Sequence, residues 1–150
     1  MNHLSQLSSL AQVLNQETDS YTKSLTELEK KINALNLGIE TWVLLIESGE
    51  SGNSNRGFYR QTLLGYAKTD EGWGFAVQER RVERGFFEND SNCPYENECD
   101  EGPAKLLLKS SRDLRIRAAR KIEDLLEGLI AKANDVIPTL KKAKELSQTI

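Results

Sequence analysis

The sequence predicts an α+β fold, and three observations predict it. Two long segments, 4–37 and 110–148, carry apolar residues spaced three and four apart, which is the period of a helix face. Between them lie three short runs rich in β-branched and aromatic residues, the composition of strands. The last two runs are separated by TDEG at 69–72, a turn of the kind that joins an antiparallel hairpin. The chain of 150 residues suffices for one domain. The expected architecture is therefore a single domain over 1–150. Its two long helices form an antiparallel coiled-coil-like pair, and a small antiparallel sheet of three to four strands is inserted at their turn.

Each element has its own grounds. Segment 4–37 has no proline or glycine, and Gly38 stands ready to cap its C-terminus, since glycine takes the left-handed conformation at little cost. Its seam runs through Leu4, Leu7, Ala11, Leu14, Thr18, Tyr21, Leu25, Leu28, Ile32 and Leu35, alternating as a two-helix contact demands. The stretch from Asn15 to Ser24 is polar apart from Tyr21 and predicts looser packing there. Residues 39–47 read as a strand apolar on both faces, 48–57 as a flexible connection, 58–68 as a second strand and 73–83 as a third. Residues 85–103 hold many structure breakers and no helical period, so they read as a long acidic surface loop with Phe86 and Phe87 pinning its near end. Residues 104–109 allow a short fourth strand. Ser110 with Asp113 fits a capping box opening the second helix over 110–148. The seam of that helix holds Ala119, Ile122, Leu126, Leu129, Ala133, Val136, Leu140 and Ala143. Pro138 lies on its opposite face, where bending can accommodate a kink.

The apolar faces are broader than one seam. Leu10, Val13, Leu125, Ile130, Ile137 and Leu146 lie beside it. That excess must cover the sheet or meet another chain, and it predicts a homodimer, through a four-helix bundle for example.

Composition excludes several chemistries. The one histidine, His3, sits near the start, where an imidazole is poorly held. Histidine-activated nucleophiles and metal sites built on two histidines are disfavoured. Cys93 and Cys99 are the two cysteines; they are not in C-x-x-C spacing and cannot fill a structural zinc site. Two free thiols in a reducing compartment is the plain reading, with a disulfide as the alternative. The longest apolar run, Trp42 to Ile46, is far below the ~20 residues that cross a bilayer. With no basic-then-apolar start, no export signal is evident, and the expected setting is the cytoplasm, with no membrane partner. The acidic loop lacks the ordered spacing of an EF-hand, and 48–57 lacks the P-loop pattern and its lysine. Glu123, Asp124 and Glu127 have no histidine to complete a di-metal site. No metal or cofactor is expected. Trp42 and Trp73 read as core or sheet-face residues. Two-carboxylate catalysis through Glu40, Glu47 and Glu79 would require those strand residues to converge.

The charge pattern is the most pointed feature. The net charge is −3, yet residues 85–104 carry six acids and no base, while 105–121 carry seven bases and one acid. On a helical wheel, Lys105, Lys109, Arg112, Arg117 and Arg120 gather on one side and Arg115 points into the apolar face. A buried arginine is costly unless paired, so a salt bridge from Arg115 to Glu40, Glu47 or Glu79 is expected. The functional alternative is an anion site at the start of the second helix, formed by Ser110, Ser111, Arg112 and Arg115. A nucleic-acid surface would use Arg80, Arg81, Arg84, Arg117 and Arg120. The acidic composition disfavours it, and the acidic block reads better as a charge partner for these arginines than as a built-in competitor. The expected function is that of a non-enzymatic interaction, assembly or regulatory protein working through its helical pair and sheet surface. The alternative is a regulator that binds a small anionic ligand, or nucleic-acid phosphate, at the second helix.

Overall fold

The computed structural model of the chain describes residues 2–49, 56–87 and 90–149. The side chains of residues 56, 86–87 and 90–93 lie outside that description, and with them the pinning role expected of Phe86 and Phe87. So does most of the connection expected at 48–57.

The chain is α+β. Helix α1 (His3–Ala34) opens on Asn2, whose side chain accepts a hydrogen bond from Ser5 N–H at 2.8 Å. That bond satisfies one of the free donors of a helix start. The helix stops at Ala34 rather than at 37. Asn36 turns the chain at φ 53, ahead of Gly38 at φ 64; asparagine tolerates this region better than most residues.

Strands β1 (Thr41–Gly49), β2 (Arg56–Thr69), β3 (Gly72–Phe87) and β4 (Asp90–Glu101) lie in that order in one antiparallel sheet. The short β5 (Lys105–Leu106) pairs with β3 at Ala76 and Val77, while β4 pairs with β3 from Arg80 onward. The hairpin at 69–72 forms as the turn predicts.

The acidic block is where expectation fails. Residues 90–101 are a strand rather than loop, with Arg84 opposite Glu96 and Arg80 opposite Glu101. Opposite charges across an antiparallel pair stabilise it, so this strand forms without an apolar face. Cys99 is the extra residue where the register shifts.

The segment 104–109 is β5 followed by a 3₁₀ turn (Leu107–Lys109). The second long helix is two helices, α2 (Arg112–Ala119) and α3 (Ile122–Thr149). Tightened bonds from Arg120 N to Arg117 O and from Lys121 N to Ala118 O divide them. Nothing in the local sequence explains this break. Helix α3 runs through Pro138.

All three helices pack on one sheet face. Leu25 and Ile32 of α1, Ala118 of α2, and Leu125 and Leu129 of α3 meet Leu64, Tyr66, Phe75, Val77 and Leu107 in the core. Polar clips fix α1 on this face. Asn33 donates to Trp73 O at 3.1 Å and accepts from Tyr66 Oη at 2.5 Å, and Glu29 accepts from Phe75 N–H at 2.8 Å. Trp73 stacks on Tyr66. On the other face Trp42 lies against Gly65, where a Cβ would run into its ring.

The expected full-length helical pair does not form within the chain. The contacts that dominate join α1 to β3 and α2, and α3 to β1 and β2. The seam is filled at Leu25, Ile32 and Leu129, with Leu125 buried beside it, but Leu4, Leu7, Leu14 and Leu140 stand exposed.

Candidate functional site

Three places hold the residues singled out by sequence. The first lies between α1 and α2. Helix α2 is capped by Ser111, whose side chain accepts from Leu114 N–H at 3.3 Å, one residue after the expected Ser110–Asp113 box. Ser110 instead donates to Leu106 O at 3.1 Å. Arg112 and Arg115, one helical turn apart, face α1. Arg112 Nη2 donates to Thr18 Oγ1 and Arg115 Nη1 to Thr22 Oγ1, each at 2.9 Å. The expected salt bridge from Arg115 is absent: among the described residues no carboxylate pairs with either arginine. Glu47 is bound to Arg84, and Glu40 accepts from the Trp42 indole at 3.4 Å. The Nε of both arginines and the hydroxyl of Tyr21 are buried without a partner among the described residues. Burial raises the Tyr21 pKa against the opposing field of Arg115. The polar break at Thr18–Thr22 in the α1 seam is therefore where the arginines pack.

The four residues of the expected anion site are divided. Ser110 and Ser111 line a cleft of about 680 Å³ beside β5, together with Lys105, Lys109, Asp70, Glu71 and Glu79, whereas Arg112 and Arg115 are not part of its lining. Lys109 is bound there to Glu71. The cleft mixes both signs of charge.

The second place is the sheet face away from the helices. Arg84 grips Glu47 with both terminal nitrogens, at 2.6 and 2.8 Å, and its Nε donates to Glu96 at 2.5 Å. This holds the Glu47 carboxyl below the usual range and raises the Arg84 pKa. Arg80 Nε donates to the buried Gln61 at 2.7 Å, and Glu98 lies 3.8 Å from Arg80. Hydrogen bonding to Glu101 raises the Glu98 pKa. The residues expected to contact nucleic acid are thus not presented as one surface. Arg80 and Arg84 are engaged by acids, Arg81 turns to the opposite face over the Phe58 ring, and Arg117 pairs with Asp113 at 2.9 Å. Arg120 is the C-cap of α2. The acidic strand is the charge partner of β3. Glu47 and Glu79 pair with Gln61 and Thr62, successive residues of β2, so they face opposite sides of the sheet and do not converge.

The third comprises two stretches, the outer half of α1 and α3 from Ile130 onward, on helices whose dominant contacts are with other elements. Leu4, Leu7, Leu10, Val13 and Leu14 are between 51% and 76% exposed, and Ile130, Ile137, Leu140 and Leu146 between 47% and 63%.

Sequence reasoning missed Thr18, Thr22 and the Glu47–Arg84–Glu96 cluster. The signal for the cluster was present: Arg80 and Arg84 share one strand face, as do Glu96 and Glu98. Cys99 is an exposed free thiol, and the side chain of Cys93 lies outside the description. Among the described residues no group of acids, cysteines and histidine could hold a metal, and no helix is long and apolar enough to cross a membrane. Compared with protein-family models, curated proteins and solved structures, the chain finds no match.

Proposed function

We propose that this is a non-enzymatic assembly protein that associates through the outer halves of its two long helices. Self-association is the leading form, and the sheet surface presents a second recognition face. One observation carries the reading: the seam leucines of α1 that the chain does not cover, Leu4, Leu7 and Leu14, with Leu10 and Val13 beside them. Single exposed apolar residues are ordinary, but a contiguous stripe marks an interaction site. The heptad spacing suits a coiled-coil-like partner. A reducing, cytoplasmic setting suits the exposed thiol of Cys99.

Light scattering at tens of micromolar tests this. The intact chain gives a multimeric mass, and Leu7→Glu returns it to the monomer with its helix content kept. A monomeric mass for the unaltered chain refutes self-association.

A second reading has one observation in its favour. Arg112 and Arg115 lack a carboxylate among the described residues, and a small anion could supply that charge. Phosphate titration followed by ³¹P line width tests it: broadening that Arg112→Met abolishes supports a site, and unchanged lines refute it.

A further inference from the structure

Resting on the self-association reading, we infer that the partner is a second copy docked antiparallel along α1, with residues 4–14 of each copy apposed about a twofold axis at the level of Ser9. Three features favour this arrangement. First, residues 4–16 of α1 contain no charged residue, so two copies of this face meet without repulsion or unpaired ions. The outer half of α3 has Lys141, Lys142 and Lys144 against Glu145, and two copies of it would repel.

Second, the layers fit in only one direction. Antiparallel seams set one type of seam position against the other, which places Leu4 on Leu14 and Leu7 on Ala11 of the second copy, twice over. Every layer then contains a leucine, and the small residue meets a large one. A parallel pair would set Ala11 on Ala11 and leave a void between two leucine layers.

Third, charge separates the two directions. The segment 105–121, at net +6, is anchored to α1 at Thr18 and Thr22. In a parallel pair these segments lie side by side. In the antiparallel pair the two Thr18 positions are about 27 Å apart along the axis, at ~1.5 Å per residue, which is more than three Debye lengths of ~8 Å. The same offset brings Glu17 to the start of the opposing α1, whose first turn has no acid of its own, where a carboxylate is favoured.

The test is orientation-specific cross-linking of the full chain, with Cys93 and Cys99 changed to serine and the helix content verified. L7C and A11C copies are mixed, oxidised and mapped by mass spectrometry, alongside light scattering. The expected result is a dimer in which the disulfide joining an L7C copy to an A11C copy predominates. A dimer that joins L7C to L7C, or that joins neither pair, overturns the antiparallel arrangement and leaves self-association standing. A monomeric mass overturns both.

Discussion

Arg115 reaches from α2 to Thr22 of α1 and donates to its hydroxyl at 2.9 Å, with no acid to balance its charge among the described residues. An ion pair there would make Arg115 costly to remove, by about 3–5 kcal/mol, because breaking it strands a buried charge. An uncompensated guanidinium predicts otherwise. Arg115→Leu puts an apolar side chain in the contact between α2 and α1 and removes the desolvation cost. Urea unfolding should show a change within about 1 kcal/mol of the parent, or a gain in stability. A loss above about 3 kcal/mol would mean that a counter-charge is present.

The Arg84–Glu47 pair makes stability depend on acid. The folded-state pKa of Glu47 is lowered, first by its hydrogen bond to Arg84 and then by that to Gln61. Its contribution is therefore fully present above the ordinary glutamate value of about 4.3 and is lost as pH falls through the lower folded value. Both side chains are partly exposed, so Arg84→Met should cost about 1 kcal/mol at pH 7. The difference between parent and variant should shrink towards pH 2. A difference that is constant from pH 7 to 2 would show that the pair adds nothing.

Glu29 has the opposite sign. Burial raises its pKa, only partly offset by the Phe75 N–H bond. Its contribution to stability is greatest below the ordinary glutamate value and declines as pH rises through the raised folded value. Glu29→Gln keeps an acceptor for Phe75 N–H and removes the titration. Thermal melts of this variant should lose that decline and match or exceed the parent at pH 7. An unaltered pH profile would count against the buried carboxylate.

Gly65 is required by its neighbours. A Cβ there would enter the Trp42 ring and come within 2.8 Å of Thr41 O. Gly65→Ala should displace the indole and cost about 1–3 kcal/mol. The Trp42 indole N–H resonance should move while that of Trp73, stacked on Tyr66 on the helix face, stays. A stationary Trp42 signal would place the ring elsewhere.

Much of the architecture was legible because apolar periodicity reports burial. Leu25 and Ile32 at helical spacing, and Trp73, Phe75 and Val77 at strand spacing, are core or sheet-face residues where the pattern put them. Strand β4 was not legible, because its pairing is held by glutamates opposite Arg80 and Arg84, and charges do not report a buried face. The division of the second helix at Arg120 and Lys121 has no residue to mark it. The basic stretch was visible as a cluster, but its use was not. The partners of Arg112 and Arg115 are threonines more than ninety positions away, and their place in the seam read simply as looser packing.

The outer half of α1 is the crux, and amide hydrogen exchange over residues 3–17 reports on it directly. Association along α1 predicts protection that rises with protein concentration in this segment, while exchange in the sheet stays constant. Exchange in 3–17 that is fast and independent of concentration up to hundreds of micromolar would contradict it.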